Sequence, residues 1–434
     1  MRPYLRVLRD NPDFARLWLA NVISLTGDWF NTIVLQALVT RYHPENAGLA
    51  LAILLLARFV PPLVLSPSAG VLIDRFNRKW LLIWSSLLRG VAVLGFIPAL
   101  NHPEWIGIIY TLTVVQFVLA SVFEPGQAAL INNLVKTDDL VIANTLFSIT
   151  WSAILAFGAA VGGVVAVSFG EATALVFDSL TYVIAAWFIW QIKGYHFQPR
   201  ASSLSTQTQA EQPNSTSFRD GLRYLRQRPD LAPVLLVKFG GSLGNVDTLM
   251  TIYATQIFIL GKGGQLSLGI MYSIFGIGAV LGPVLLNRFN DDSVPRMRTL
   301  ILIGFIGTMV CWLVMGTAST LLIFCIGLLI RAMGGSSNWT YSSVIIQKSA
   351  DDHYMGRMFS LDLMAYYLAT IISIVGHGAL IDLVGNENAY LVALGTTVIA
   401  LIPLTLWTWW TRRINSREAA PLTMIPSADA SAGD

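Results

Sequence analysis

Apolar runs of roughly twenty residues recur down this 434-residue chain and restrict its fold more than any other feature. A helix rises about 1.5 Å per residue, so such a run spans about 30 Å, the hydrocarbon thickness of a bilayer. Twelve stretches qualify, at 14–40, 47–70, 80–100, 105–127, 141–168, 171–192, 231–260, 266–287, 298–317, 320–345, 357–383 and 388–411. Within hydrocarbon a segment must pair its own N–H and C=O groups, which predicts a helix for each. Charged residues make up 12% of the chain, about half the roughly 25% of soluble domains. The expected class is an all-α membrane protein set in a lipid bilayer. The first 13 residues are polar and basic and no Ala-x-Ala site follows them, so no cleavable signal peptide is expected.

The basic residues orient the spans, because Lys and Arg concentrate in cytoplasmic segments. With the N-terminus inside, 22 of the 28 basic residues are cytoplasmic. Arg41 and Lys262 fall outside, and Arg58, Arg89, Lys238 and Arg331 lie within spans. Both termini are therefore expected in the cytoplasm of a multi-pass membrane protein. This distribution also accounts for the net charge of +3, and no nucleic-acid partner is expected. Cys311 and Cys325 sit inside apolar runs and read as small reduced side chains. The five His have no metal-ligand spacing and no Walker A loop is present. Neither an enzyme, a metal site nor a cofactor is expected.

The longest polar gap, 193–230, contains SSLSTQTQAEQPNSTS, too poor in apolar residues to fold alone. FRDGLRYLRQR follows, with Phe218, Leu222 and Leu225 on one helical face and Arg219, Arg223 and Arg226 on another. That pattern fits either a short amphipathic helix on the inner leaflet or a solvated linker helix. The gap divides the chain into a six-helix bundle at 1–192, a linker at 193–230, a second six-helix bundle at 231–411 and a cytoplasmic tail at 412–434, expected to be disordered. The bundles echo one another. RDNPDFA and RQRPDLA precede spans 1 and 7 at an offset of 217, DRFN and NRFN follow spans 2 and 8 at 213, and KTDDLVIANTLFS and KSADDHYMGRMFS follow spans 4 and 10 at 212. A parallel duplication of this kind places a site between the halves near mid-membrane, reached by rocking of one half against the other.

Residues 70–80, GVLIDRFNRKW, resemble the loop 2–3 signature of the major facilitator superfamily, Gly-x-Leu-Ala-Asp-Arg-x-Gly-Arg-Lys. Gly70, Leu72, Asp74, Arg75, Arg78 and Lys79 match; Ile73 and Asn77 depart. Asn77 takes the second Gly position, a mild change because Asn tolerates left-handed backbone. FARLWLANVISLTGDWF, FEPGQAALINNLV, ANTLFS and GLRYLRQRPDL resemble its drug and siderophore exporters, the branch of the macrolide efflux proteins and the enterobactin exporter. The resemblance runs from about 9 to 411 and implies the major facilitator fold, twelve transmembrane helices in two six-helix pseudo-repeat bundles. It implies a cytoplasmic latch of Asp74 with Arg75 and Arg78 that holds the halves together when the transporter faces outward; the alternative is a topology anchor with a capping Asp. Span 4 lacks the Arg of many drug–proton antiporters, and GAAVGG at 158–163 lacks the Pro of the antiporter motif. Proton coupling therefore does not carry over with the resemblance.

An ionisable side chain at a helix centre costs about 2.5–3.5 kcal/mol on insertion scales and marks function by default. Asp28 lies midway along span 1. Asp247 lies at similar depth in span 7, beside Gly240, Gly241 and Gly244, which can break the helix. Facing a central cavity, the two carboxylates could bind a cationic substrate, take up protons, or pair with a neighbouring Arg. Arg58 in span 2 is expected to neutralise Asp28. Glu124 precedes Pro125 and Gly126, a breaker pair that suits a gate, a proton site or an interfacial Glu. Asp178, Arg331 and Asp362 are further proton or substrate candidates, whereas Arg89 and Lys238 are expected to be structural or to snorkel. Most Trp sit near span ends as interfacial anchors; Trp29 and Trp151 are the cavity candidates, since a ring beside a carboxylate can hold an organic cation.

The expected protein is a monomeric secondary active transporter of a bacterial inner membrane, as the resemblance implies, exporting a small amphipathic compound such as a drug or siderophore; the carboxylates within the spans add proton antiport to that expectation. Asp28, with Asp247 or Glu124, would couple the proton. Rival readings are an importer, a facilitator or a lysolipid flippase on the same scaffold, and a non-transporting membrane sensor or scaffold.

Overall fold

The computed structural model describes residues 2–136, 139–193, 218–351 and 354–418, and they are almost wholly helical. Helix α1 (Arg2–Asp10) leads into α2 (Pro12–Tyr42), α3 (Ala47–Arg75), α4 (Arg78–Leu94), α5 (Ile106–Leu134), α6 (Leu140–Phe169) and α7 (Glu171–Trp190). After the linker come α8 (Phe218–Gln227), α9 (Ala232–Ser242), α10 (Val246–Ile252), α11 (Gln265–Leu286), α12 (Val294–Gly316), α13 (Leu321–Ser349), α14 (Met355–Val384) and α15 (Ala389–Glu418). Polar residues in the short gaps start these helices, because a side-chain oxygen can accept an otherwise unpaired first-turn N–H. Asn77 accepts from Lys79 N, Ser293 from Arg296 N and Thr320 from Ile323 N. Asn77 itself has φ of −64°. Its place in the signature is thus that of a helix cap, and the left-handed backbone expected there does not occur.

Eleven of the described helical segments are long and apolar enough to cross a membrane. The twelfth span, at 231–260, is broken. α9 ends at Ser242, Gly244 adopts φ of +100°, α10 resumes at Val246, and a π-helical turn follows at Tyr253–Ile257. A residue with a Cβ is strained at such a φ, so glycine sets the site of the break. By contrast α5 continues through Pro125 and Gly126 without interruption. α15 runs on to Glu418, past the span end expected at 411. Residues 194–217 of the linker and 419–434 of the tail lie outside the described residues.

Helices α2 to α7 form one bundle, with α7 packed on α2 and α4, and α5 on α3 and α4. In the second, α12 packs on α13 and α15, and α9 on α13 and α14. Two long crossings join the bundles: α6 on α11 and α3 on α14. Small residues permit the first, as they do wherever membrane helices approach backbone to backbone. The GAAVGG stretch of α6 contributes Gly163, whose Cα nears the Cβ position of Gly269, and a Cβ on Gly276 would stand 2.5 Å from Ala156 Cα. The outer faces carry exposed Phe157, Leu322 and Val398, the surface a bilayer requires.

α8 docks on the second bundle through Gly221, Tyr224 and Leu225. Tyr224 is buried and stacks on Tyr354 at 4.1 Å, and Gly221 packs against Arg357 and Leu361 of α14, whereas Leu222 is exposed. Arg228 closes the segment with a two-pronged bond to Asp230 and a third to Ser349 O. The Arg228 guanidinium holds the Asp230 carboxyl below the usual carboxylate range.

Candidate substrate cleft and its charged walls

Residues of α2, α3 and α5 line a cleft near mid-depth: Asp28, Asn31, Thr32, Arg58, Gln116 and Phe117, with Leu35, Leu54 and Thr113. Its acid does not pair with Arg58. Arg89 of α4 places Nη2 at 3.2 and 3.4 Å from the two Asp28 oxygens, and Tyr182 of α7 donates a hydrogen bond to Asp28 Oδ1. Gln116 donates to the Tyr182 hydroxyl at 3.1 Å and receives Asn31 Nδ2 at 3.0 Å, which extends the network across four helices. The Arg89 side chain is 7% exposed and that of Asp28 28%, so the acid meets the cleft while its partner stays inside the bundle. Of the two expectations for Arg89, structural or snorkelling, the buried pairing matches the structural one. The chain order hid it, because α4 follows Arg58 by a full helix and only packing brings it beside α2.

Arg58 instead gives one hydrogen bond, Nη2 to Thr32 Oγ1 at 3.1 Å, and lies 5.1 Å from the Phe117 ring centroid. Asp178 is fully buried against Gly27, where a Cβ would come within 2.6 Å of Asp178 Oδ1. Neither of its oxygens accepts a hydrogen bond among the described residues. Glu124 is exposed and makes no ion pair among the described residues. Trp29 is half-buried, packed on Gly158 and 4.9 Å from the Tyr272 ring, while Trp151 is 56% exposed.

In the second half, the broken span organises the polar groups. Ser373 of α14 accepts from Gly244 N and donates to Ser242 O, Asn245 caps α10 by accepting from Thr248 N, and Arg331 of α13 donates to Gly241 O at 2.7 Å. These bonds satisfy backbone groups that a break in hydrocarbon would otherwise strand. Asp247, in the first turn of α10, accepts from the Tyr272 hydroxyl at 2.9 Å. Asp362 and Lys238 form a sealed ion pair with side chains 0% and 3% exposed. Lys238 also donates to Ser343 Oγ at 3.0 Å and sits 4.1 Å from the Trp339 ring centroid. The structure therefore buries and pairs Lys238, and it does not snorkel.

Several bonds join the halves at the end remote from both chain termini. Gln36 of α2 bonds Thr251 and Tyr272, Gln265 of α11 donates to Glu171, itself clamped by Arg41, and Asn386 donates to Pro44 O. Asp382 of α14 caps α3, with Gly48 N and Leu49 N each 2.8 Å from one of its oxygens. None of Gln36, Glu171, Gln265 or Asp382 stood out in the sequence, since polar residues near span ends have no periodic signature.

At the opposite end lies the 70–80 loop. The surroundings of Gly70 and the side chains of Asp74 and Arg75 lie outside what the structure describes. Arg78 donates to Asn133 Oδ1 at 2.6 Å and Ala129 O, and Lys79 to Ile192 O at 2.6 Å, all within the first bundle.

Two helical bundles joined at one end, the first carrying a charged cleft at mid-depth, define the class as a polytopic membrane transporter. The chain belongs to the Major Facilitator Superfamily, whose sequence model matches residues 17–373 and 262–428. It is 25% identical over 416 residues to the uncharacterized MFS-type transporter YfiS of Bacillus subtilis (strain 168), covering 92% of this chain and 94% of that one. It is also 25% identical over 407 residues to macrolide efflux protein A of Streptococcus pyogenes, covering 89% and 94%. Among solved structures, a bacterial homologue of the iron transporter ferroportin in an inward-facing state aligns with TM-score 0.70 at 15% identity, covering 92% and 98%. The POT family transporter PepTSo aligns with TM-score 0.71 at 12% identity, covering 94% and 99%.

Proposed function

We propose that this transporter exports a small amphipathic compound from the cytoplasm across a bacterial inner membrane, as a monomer, by alternating access with proton antiport. The observation that carries the reading is the Asp28 carboxylate, part-exposed in the cleft and held by a buried Arg89 and Tyr182. Adding a proton to Asp28 cancels the charge that binds Arg89 and loosens the charge-assisted bonds between α2, α4 and α7. Asp247 and Glu124 are the further carboxylates we assign to the proton route. With the termini inside, the joined end faces outward. The likeness to macrolide efflux protein A supports the outward direction. The 1–192 and 231–411 bundles are the rocking units, and Asp74 with Arg75 and Arg78 is the latch that engages when the inner end closes.

The test is accumulation of a compound panel in cells with and without the protein, each with and without an uncoupler. Export of at least one compound that stops on collapse of the proton gradient is the expected result. No change for any compound removes the export reading, and uncoupler-insensitive export removes the antiport alone. Asp74→Asn should abolish most transport with membrane insertion intact; near-normal transport reduces the loop to a topology anchor.

A further inference from the structure

We infer that the cleft recognises a carboxylate on an otherwise apolar substrate, with the Arg58 guanidinium as its counter-charge; the inference rests on the transporter reading of this cleft and names its substrate class. The sequence alone suggested the opposite polarity, a cation held by Asp28. Geometry removes that option, because Asp28 is already matched by Arg89 at 3.2 Å and by the Tyr182 hydroxyl. The charge left open in the cleft is positive.

Arg58 has five N–H donors, and among the described residues it uses one, to Thr32 Oγ1 at 3.1 Å. It is half-buried at the middle of α3, where an unmatched cation is costly. No carboxylate comes within ion-pair distance of it among the described residues; the next acid whose charge reaches it, Asp247, stands on the opposite bundle and is engaged by Tyr272. A guanidinium presents donors in a planar fork that matches a carboxylate with two parallel bonds. The other walls give the substrate's shape. Leu35, Leu54 and the Phe117 ring, 5.1 Å from the guanidinium, are its apolar neighbours, and its polar neighbours are uncharged: Thr32 and Asn31, with Gln116 engaged by Tyr182 and Asn31 and Thr113 by Ile109 O. An amine placed there would face Arg58 with no acid free to receive it.

The experiment uses the full-length purified protein in detergent and three matched probe series, the phenylalkyl carboxylates from benzoate to phenylbutyrate, their amides, and the corresponding amines. Binding is read as the concentration-dependent rise in melting temperature. The carboxylates are expected to stabilise the wild type, with apparent affinity at least about tenfold above the amides, the factor one lost charge-assisted pair implies. In Arg58→Gln that preference for acids should vanish; in Arg58→Lys, which keeps the charge and loses the fork, it should persist in weakened form. The comparison of acids with amides on the wild type stands even where a variant fails to fold. Preference for the amines, equal binding of acids and amides, or no stabilisation by any acid overturns the inference. Binding in detergent is independent of direction and energy source, so failure here leaves export open, and failure of export in cells leaves carboxylate recognition standing.

Discussion

The ion pair between α9 and α14 gives the most decisive perturbation of the fold. Lys238→Met removes a cation that touches Asp362, Ser343 and the Trp339 face, and fills most of its volume with apolar atoms. The Asp362 side chain has no exposure, and its Oδ1 accepts no bond even in the wild type. Water cannot replace the lost partner, so the variant keeps an isolated buried charge, which costs about 3–5 kcal/mol. Lys238→Met with Asp362→Leu removes both charges. Replacing a buried pair by apolar groups of similar size is near neutral or favourable, and the double variant should recover most of the loss. The assay is thermal unfolding of the detergent-solubilised protein, compared at one scan rate because membrane-protein unfolding is seldom reversible. Transport is measured on the same preparations. A single variant that melts with the wild type, or a double variant no better than the single, refutes the argument. A double variant that melts normally but no longer transports would move the pair from packing to mechanism.

Three more outcomes follow from contacts in the two halves. Gly276→Ala puts a Cβ against Ala156 Cα at 2.5 Å and forces α6 from α11, so a cysteine at Thr251, fully buried at the junction in the wild type, should gain reactivity toward a water-soluble maleimide over the background of buried Cys311 and Cys325. Asp382→Ala strips two bonds from the start of α3, a capping loss of about 0.5–2 kcal/mol, and the same labelling should increase. Arg331→Met leaves the Gly241 carbonyl unpaired in a buried site, a loss of about 1–3 kcal/mol visible as a lower melting temperature.

What the sequence revealed was the part governed by length and composition. Apolar runs marked the spans, and the cluster Gly240, Gly241 and Gly244 marked the span that breaks, because glycine adopts the φ of +100° at Gly244 without the strain a Cβ brings. Pairing within the bundles stayed hidden. Helices that are apolar all round carry no moment to announce which face meets which neighbour, so Arg58, a lone cation in its span, suggests itself as partner of Asp28, whereas packing gives that place to Arg89. Asn77 shows the same limit at one position: its type allowed either a left-handed turn or a cap, and only the backbone chose.

The duplication sharpens what the charges are for. At the 217-residue offset of spans 1 and 7, Lys238 corresponds to Asn21 and Asp28 to Asn245; at the 212-residue offset of spans 5 and 11, Asp362 corresponds to Thr150. In the first half those counterparts are neutral: Asn21 is buried, and Thr150 accepts a bond from Trp18 at 2.8 Å. In the second, Asn245 serves as a helix cap. The repeat thus reproduces helices and loops but not electrostatics, and each half carries its acid–base pair where the other has none. The pairs also differ in access, since Asp28 is 28% exposed to the cleft and Asp362 not at all. A proton or a substrate arriving through the cleft meets the first pair, while the second is sealed between α9 and α14. Neutralising Asp28 should therefore alter transport in a protein that still folds, whereas neutralising Asp362 alone should first be felt as lost stability.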